Sequence, residues 1–189
     1  PRVVLTVQPA VLPPPTLGVT VNPSFSPSPV VAGTSNIKLA SFIVNCGASE
    51  NVALQSMAFS IDQPNLAAGA QTAVTNLLLK REAPVSGTNY QVAPPISVTL
   101  DSMPSVFALT APAPVCNSAN PIIFNVFGDI DSSFGSNSLM SMLPANGITG
   151  TGVLSGASLT APSVNIVFPS LTAARGILRV VNAINNPQA

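Results

Sequence analysis

Few side chains in this sequence are suited to catalysis. It contains no histidine and two cysteines, Cys46 and Cys116. Without histidine, Ser-His-Asp and Cys-His nucleophile systems and histidine-ligated zinc or haem sites cannot be built. Two cysteines seventy positions apart also form neither a C-x-x-C redox pair nor a four-cysteine metal site. The sequence therefore predicts a protein that is not an enzyme and that uses no cofactor.

The acidic residues offer one candidate metal site. Asp129 and Asp131 stand at alternate positions, followed by Ser132 and Ser133, and two such carboxylates can offer oxygen ligands to Ca²⁺. An EF-hand loop is not matched, because no third acid and no closing glutamate follow. The alternative is a solvated strand end with turn-forming Asp and Ser. We favour the alternative and keep Asp129 and Asp131 as the candidate calcium ligands.

The charge content excludes several kinds of partner. Six basic and six acidic residues make up 6% of the chain and cancel to a net charge of zero, whereas about 25% is usual. No basic field is available to hold nucleic acid or an anionic membrane, and no apolar run reaches the length of a membrane-spanning helix. So few charges protect poorly against self-association. We therefore expect copies of the chain itself as partners, no nucleic acid and no membrane insertion.

The sequence pattern predicts an all-β fold. Twenty prolines oppose helices, because proline removes a backbone donor and clashes inside a helix. Short apolar segments alternate with turn residues about every 8–12 positions, which is typical of an immunoglobulin-like Greek-key β-sandwich. We assign residues 17–189 to this domain, with the most apolar strand, residues 122–127, at its centre. One-residue slips of the apolar pattern within residues 37–46 and 52–61 predict two β-bulges that form a paired kink.

Residues 1–16 are predicted to form an extended N-terminal arm. Val3, Leu5 and Val7 alternate as in a short strand, and residues 13–15 are three prolines that form a stiff polyproline spacer. A strand ahead of a rigid spacer suits pairing with another subunit, so these three residues are the candidate donor strand. The alternative is that the arm folds back onto its own sheet or frays.

The cysteines are predicted to pair. In a chain with an extracellular character, an even number of cysteines favours one disulfide between Cys46 and Cys116. The alternative is two buried free thiols. With the bond, we expect a secreted protein, extracellular or on the cell surface.

Several segments carry a family resemblance. They read VVAGTSNIKLASF at residues 30–42, ENVALQSM at 50–57, NLLL at 76–79 and FNVFGDI at 124–130. This succession of a valine-glycine turn, a strand ending in phenylalanine and an acidic residue before the next strand resembles the immunoglobulin-like modules of bacterial envelope and cell-surface proteins. The resemblance spans roughly residues 25–170 and implies a sandwich fold and a surface role, without functional residues. The cysteines and the proline-rich arm depart from that pattern.

These observations lead to one main hypothesis and two alternatives. We expect a structural subunit of an extracellular filament, sheath or surface layer that assembles by β-strand addition, by analogy with pilus subunits that donate a strand. The main alternative is an adhesin or ligand-binding module with its specificity in loops 62–72, 83–95 and 131–147. A viral capsid or spike sandwich is less favoured.

Overall fold

The computed structural model describes residues 13–62, 74–83, 89–98, 104–132, 134, 137–174 and 176. Within these ranges the chain contains fourteen strands and no helix, so the all-β class is confirmed. The strands are β1 (Leu17–Val21), β2 (Val30–Val31), β3 (Ile37–Cys46), β4 (Val52–Asp62), β5 (Val74–Glu82), β6 (Asn89–Gln91), β7 (Ser105–Ala108), β8 (Val115–Cys116), β9 (Ile122–Ile130), β10 (Asn137–Leu143), β11 (Ile148–Gly152), β12 (Ser158–Ala161), β13 (Ile166–Val167) and β14 (Leu171–Ala174). No helix in the described part is available to cross a membrane.

The first sheet has five strands in the order β1-β3-β9-β5-β6, all antiparallel. The apolar strand predicted to be central, β9, is the middle one. Lys80, Arg81 and Glu82 are the last residues of β5 and pair with β6. Pairing on both sides of β5 draws these charged residues into the sheet, because their backbone groups find partners there.

The second sheet has nine strands. β10 and β11 both pair with β4 and follow one another along the same side of it. β12 pairs with β11, while β13 and β14 pair with β10. β7 and β8 also pair with β4, and β2 joins β14 in the one parallel pairing of this sheet within the described residues. The two sheets form a sandwich, and its immunoglobulin-like Greek-key arrangement stays a prediction.

Both predicted β-bulges are present, but they do not form a paired kink. The register of β3 against β9 shifts between Lys38 and Ala40. The register of β4 against β11 shifts between Thr149 and Gly150, so that Gln55 is the extra residue. Because β3 and β4 lie in different sheets, the two kinks are independent, and that part of the prediction is wrong. Each bulge keeps the apolar side chains of its own strand in the core.

The core contains a run of aromatic rings that links the sheets. The ring centroids of Phe124 and Phe42 are 5.8 Å apart, those of Phe42 and Phe168 6.0 Å, and those of Phe168 and Phe59 6.1 Å. All four side chains are buried. Phe42 and Phe124 belong to the five-stranded sheet and Phe59 to the nine-stranded one. Ring contacts at these distances add to the free energy gained by burial.

The predicted disulfide is present. Cys46 ends β3, Cys116 ends β8, and their Cα atoms are 5.9 Å apart. Since β3 and β8 belong to different sheets, the bond ties one face of the sandwich to the other. It closes a loop of 70 residues.

Candidate functional site: a groove at one end of the sandwich

The groove begins where the first strand stops. β1 ends at Val21, which pairs with Phe42, although β3 starts at Ile37. The next residue, Asn22, donates its backbone N–H to the Ser41 carbonyl (3.0 Å) and its side-chain amide to Ser41 Oγ (2.9 Å). Within the described residues, no strand pairs with the part of β3 from Ile37 to Ala40 on this side. The sheet therefore has an open edge there, although one backbone group of this stretch is occupied, because the Leu39 carbonyl accepts a hydrogen bond from Ser141 Oγ at 3.0 Å.

The chain that leaves β1 forms the other wall. Residues 22–30 cross from the five-stranded sheet to β2 in the nine-stranded sheet. The segment begins with a turn in which Phe25 N–H donates to the Asn22 carbonyl (3.0 Å), and the prolines at 23, 27 and 29 have no backbone N–H to donate to a sheet. Between this segment and β3 lies a groove of about 550 Å³. The residues that line it are Asn22, Ser24, Phe25, Ser26, Pro27, Ser28, Val30, Ile37, Lys38, Ser41, Glu82, Ile123 and Leu171.

The lining has mixed polarity and no net charge. Phe25, Ile37 and Leu171 supply apolar surface, and the serines supply hydroxyl groups. Lys38 and Glu82 contribute one charge of each sign. A strongly ionic ligand would find no compensating field here. The lining suits a neutral, partly apolar occupant that brings its own backbone hydrogen-bonding groups.

Beside the groove, a buried amide fixes Glu82. Asn125 lies on the central strand opposite Ser41 and is fully buried. Its Nδ2 donates to Asn89 Oδ1 at 2.6 Å and to Glu82 Oε2 at 3.5 Å. Its Oδ1 has no hydrogen-bond partner among the described residues. A buried acceptor without a partner costs free energy, and Asn125 is not among the residues that line the groove.

The candidate calcium residues take part in a different arrangement. Asp129 Oδ1 accepts the backbone N–H of Asn36 (2.7 Å), and Asp129 Oδ2 accepts the side-chain amide of Asn76 (3.0 Å). Both asparagines have positive φ, 57° and 53°, a conformation that asparagine tolerates better than most residues. The Asp129 carboxylate thus anchors two turns. The described residues contain no group of three or more His, Cys, Asp or Glu placed to hold a metal ion, and calcium at Asp129 and Asp131 gains no support from this geometry.

Two lysines, Lys38 and Lys80, lie over the ring of Phe127 on the outer face of the five-stranded sheet. Lys80 Nζ lies 4.4 Å from the ring centroid of Phe127 and donates to Asn36 Oδ1 at 2.9 Å. Lys38 Nζ lies 5.8 Å from the same centroid. These cation–π contacts shield an outward-facing aromatic ring from water, which explains why Phe127 is buried on the outside of its sheet.

The opposite end of the sandwich holds the polyproline segment. The Thr16 carbonyl accepts the Gly47 N–H at 3.0 Å, and the Pro14 carbonyl accepts from Ser49 Oγ at 3.2 Å. Residues 13–15 and the turn at 154–157 border a mainly apolar cavity of about 390 Å³ beside Glu50. The spacer is thus seated on the body at the end remote from the groove.

Glu50 organises that end. It accepts hydrogen bonds from the Ser155 hydroxyl, from the Ser155 backbone N–H (3.0 Å) and from the Leu154 N–H (2.6 Å). The side-chain bond from Ser155 is the main cause of a lowered pKa of Glu50; the two backbone bonds act in the same direction, and desolvation opposes them. The carboxylate therefore fixes the turn between β11 and β12.

The predicted site residues have different outcomes. Val3, Leu5 and Val7 lie outside the described residues, so the donor strand stays a prediction. Two features were missed by sequence reasoning, namely the groove wall at residues 22–30 and the role of Glu50. Prolines carry no sequence signal for the strand beside which they will lie, and a lone acid carries none for a partner more than a hundred residues away.

Comparison with known proteins gives no further identification. No sequence model of a known protein family matches the chain, and no curated protein matches it. The resemblance to immunoglobulin-like surface modules accordingly stays a prediction.

Proposed function

We propose that the chain is a non-catalytic structural subunit of an extracellular assembly, in which residues 2–7 of one copy add to the groove of the next. The observation that supports this proposal most directly is the open edge of β3 between Ile37 and Ala40, which has a groove beside it. An open edge offers unpaired N–H and C=O groups to an added strand. An extended segment from another subunit supplies those hydrogen bonds and fills the groove with alternate side chains.

Such an assembly requires the arm and the groove to lie at opposite ends of the molecule. The Cys46 end of β3 lies beside Thr16, and the Ile37 end borders the groove. Nine strand steps separate these residues, which is about 30 Å at ~3.4 Å per residue. Because β1 runs toward the groove, residues 13–16, which precede it, lie at the far end. A contact between opposite ends is heterologous, and repeated heterologous contacts build filaments unless they close a ring.

The chemistry of the arm matches the groove. Val3, Leu5 and Val7 present one apolar side, which suits Phe25, Ile37 and Leu171. Arg2 is the one charged residue among the first sixteen, and Glu82 is the acid of the groove. A single pair of opposite charges at the rim can fix the register without adding much affinity.

The disulfide supports the proposed location. Disulfides persist in oxidising compartments and are rare in the cytosol. The bond between Cys46 and Cys116 ties the two sheets together. We therefore place the assembly outside the cell or on its surface.

Sedimentation velocity and electron microscopy of the full-length chain test the proposal. We expect concentration-dependent polymers, and we expect Leu5→Asp to abolish end-to-end growth because it brings a charge to the apolar side of the arm. Thr6→Asp is the matched control, since it adds the same charge to the opposite side. Equal polymerisation of both variants and the unaltered chain would rule the arm out.

The rival function is an adhesin or ligand-binding module, and one observation favours it. Ser24, Ser26 and Ser28 bring several hydroxyl groups to the groove, which suits a small polar ligand. The groove walls would then carry the specificity, in place of the three loops expected from the sequence. This function requires a stable monomer whose groove stays open at every protein concentration.

A further inference from the structure

The nine-stranded sheet has almost no charge. Among its described strands, Asp62 is the one charged residue. The five-stranded sheet carries five charged residues in fewer strands, which are Lys38, Lys80, Arg81, Glu82 and Asp129. Proteins that keep a sheet apart from other molecules place charged residues, lysine above all, on its exposed positions. The second sheet lacks this protection.

Exposed apolar side chains lie together on the outside of this sheet. We define the lateral face as Ala58, Val106, Met140, Met142 and Val167. Val106 pairs with Ala58, and Val167 pairs with Met142. Val106 is 58% exposed, Val167 53% and Met140 36%. Single exposed apolar residues are ordinary, but a contiguous group of them marks a contact surface.

A polar side chain next to the lateral face, Ser60, has no hydrogen-bond partner among the described residues. Ser60 pairs with Met142 and is 3% exposed. A cavity of about 90 Å³ lies next to it, bordered by Asp62, Met140, Met142 and Val167. That volume is about three times the ~30 Å³ that one water molecule occupies in the liquid. It has room for a side chain that enters from outside and bonds the hydroxyl.

We infer that the lateral face is a second interface between copies of this chain, separate from the arm and the groove. A surface with one charge is compatible with itself, because pairing two copies buries almost no charge and brings little repulsion. The face spans the part of β4 from Ala58 to Asp62 and four rows of strands, so at ~3.3 Å per residue and ~4.8 Å per row it measures about 300 Å². A stable interface takes about 800 Å² from each partner, so contact through this face alone is weak and reversible.

This interface extends the proposed function without depending on it. Contacts through the arm join copies end to end and give a single row. Contacts through the lateral face join rows side by side, and both together give a sheath or a layer. The partner is therefore a second copy, and the contact is sheet against sheet, with side chains from the two faces interdigitated.

The test uses the full-length chain with Leu5→Asp, in which the arm contact is disabled. We expect sedimentation equilibrium to detect a reversible dimer. Adding Val106→Lys and Val167→Lys should weaken this dimer by more than about tenfold, because each lysine would have to be desolvated. The control is Val153→Lys, which alters a residue of similar exposure (54%) outside the face.

Two results would overturn the inference. One is a Leu5→Asp chain that stays monomeric at all concentrations. The other is a dimer that the two added lysines do not weaken, in a variant whose circular dichroism and urea midpoint match those of the Leu5→Asp parent. Failure of the arm proposal is recognised separately, because Leu5→Asp would then leave the end-to-end polymer of the otherwise unaltered chain intact.

Discussion

Val21 pairs with Phe42 at the last position of β1, and β3 extends beyond that pair to Ile37 with no described strand beside it on that side. The bulge between Lys38 and Ala40 lies in the same stretch. A bulge bends its strand and disturbs the ladder, which explains why β1 does not continue along β3. The open edge is therefore a consequence of the strand's own geometry, and it creates the space for the groove.

Removing the disulfide should lower the stability substantially. It closes a loop of 70 residues between the sheets, and the chain-entropy account gives about 4 kcal/mol for such a loop. We expect the Cys46→Ala, Cys116→Ala double variant to lose free energy of unfolding on that scale, measured by urea denaturation followed by circular dichroism. A reducing agent should destabilise the unaltered chain and leave the double variant unchanged. An equal effect on both would contradict the assignment.

Phe168 is expected to be the most sensitive position of the aromatic core. Its ring contacts Phe42 in one sheet and Phe59 in the other. Phe168→Ala should cost about 3–5 kcal/mol of unfolding free energy, through lost burial and the cavity left behind. Leu154→Ala, at a side chain that is 77% exposed, should change it by less than about 0.5 kcal/mol. Similar losses at both positions in urea titrations would argue against the described core.

Gly128 should not tolerate a methyl group. A Cβ built there would lie 2.6 Å from Val74 Cγ1 and 2.9 Å from Leu39 Cδ1, so neighbouring core side chains would have to move. We expect Gly128→Ala to cost about 1–3 kcal/mol by overpacking. Gly18→Ala is the matched control, because its nearest atom would be 3.9 Å away. Thermal unfolding of the two variants distinguishes these cases, and equal midpoints would count against the close packing around β9.

Glu50 should make the stability depend on pH in the acid range. Its hydrogen bonds, led by the one from the Ser155 hydroxyl, lower its pKa below the ordinary 4.5. A carboxyl whose pKa is lower in the folded state stabilises the protein above its unfolded-state pKa and loses that contribution as the pH falls through the lowered value. Glu50→Gln should therefore reduce the loss of thermal stability seen as the pH falls below about 4.5.

The partner of Glu50 supplies the control for this measurement. Ser155→Ala removes the hydrogen bond that contributes most to the lowered pKa, so it should flatten the same part of the pH profile. Combining it with Glu50→Gln should add little, because the two residues act through one contact. The variants are compared by their calorimetric unfolding midpoints, measured from neutral to acid pH. Unchanged pH dependence in both single variants would contradict the role of Glu50.

The sequence predicted the parts of the fold that depend on local pattern. The run from Ile122 to Phe127 was predicted to be central from its apolar composition, and β9 is the middle strand of its sheet. The slips of parity at β3 and β4 revealed both bulges. All of these signals are contained within single strands.

What the sequence did not predict depends on contacts between distant segments. The two bulges were expected to lie together, but their strands pair in different sheets. The groove needs the early end of β1, the prolines after it and Glu82 from β5, which meet only through topology. Glu50 likewise meets Ser155 across 105 residues. Such partners are set by strand order, which local alternation does not specify.

The most direct measurement of head-to-tail strand addition mixes two variants of the full-length chain. One carries Leu5→Asp in the arm, and the other carries Ser26→Trp, which fills the groove from an exposed wall position. Ser97→Trp, exposed beside β5, is the control for the added ring.

Both variants also carry the two lateral-face lysines, so that association through that face does not interfere. Neither variant should polymerise alone, since each lacks one half of the contact. Mixed, the intact arm of the groove variant should fill the intact groove of the arm variant, and sedimentation should detect a one-to-one complex that grows no further. Separate monomers in the mixture, or polymers from either variant alone, would contradict the account.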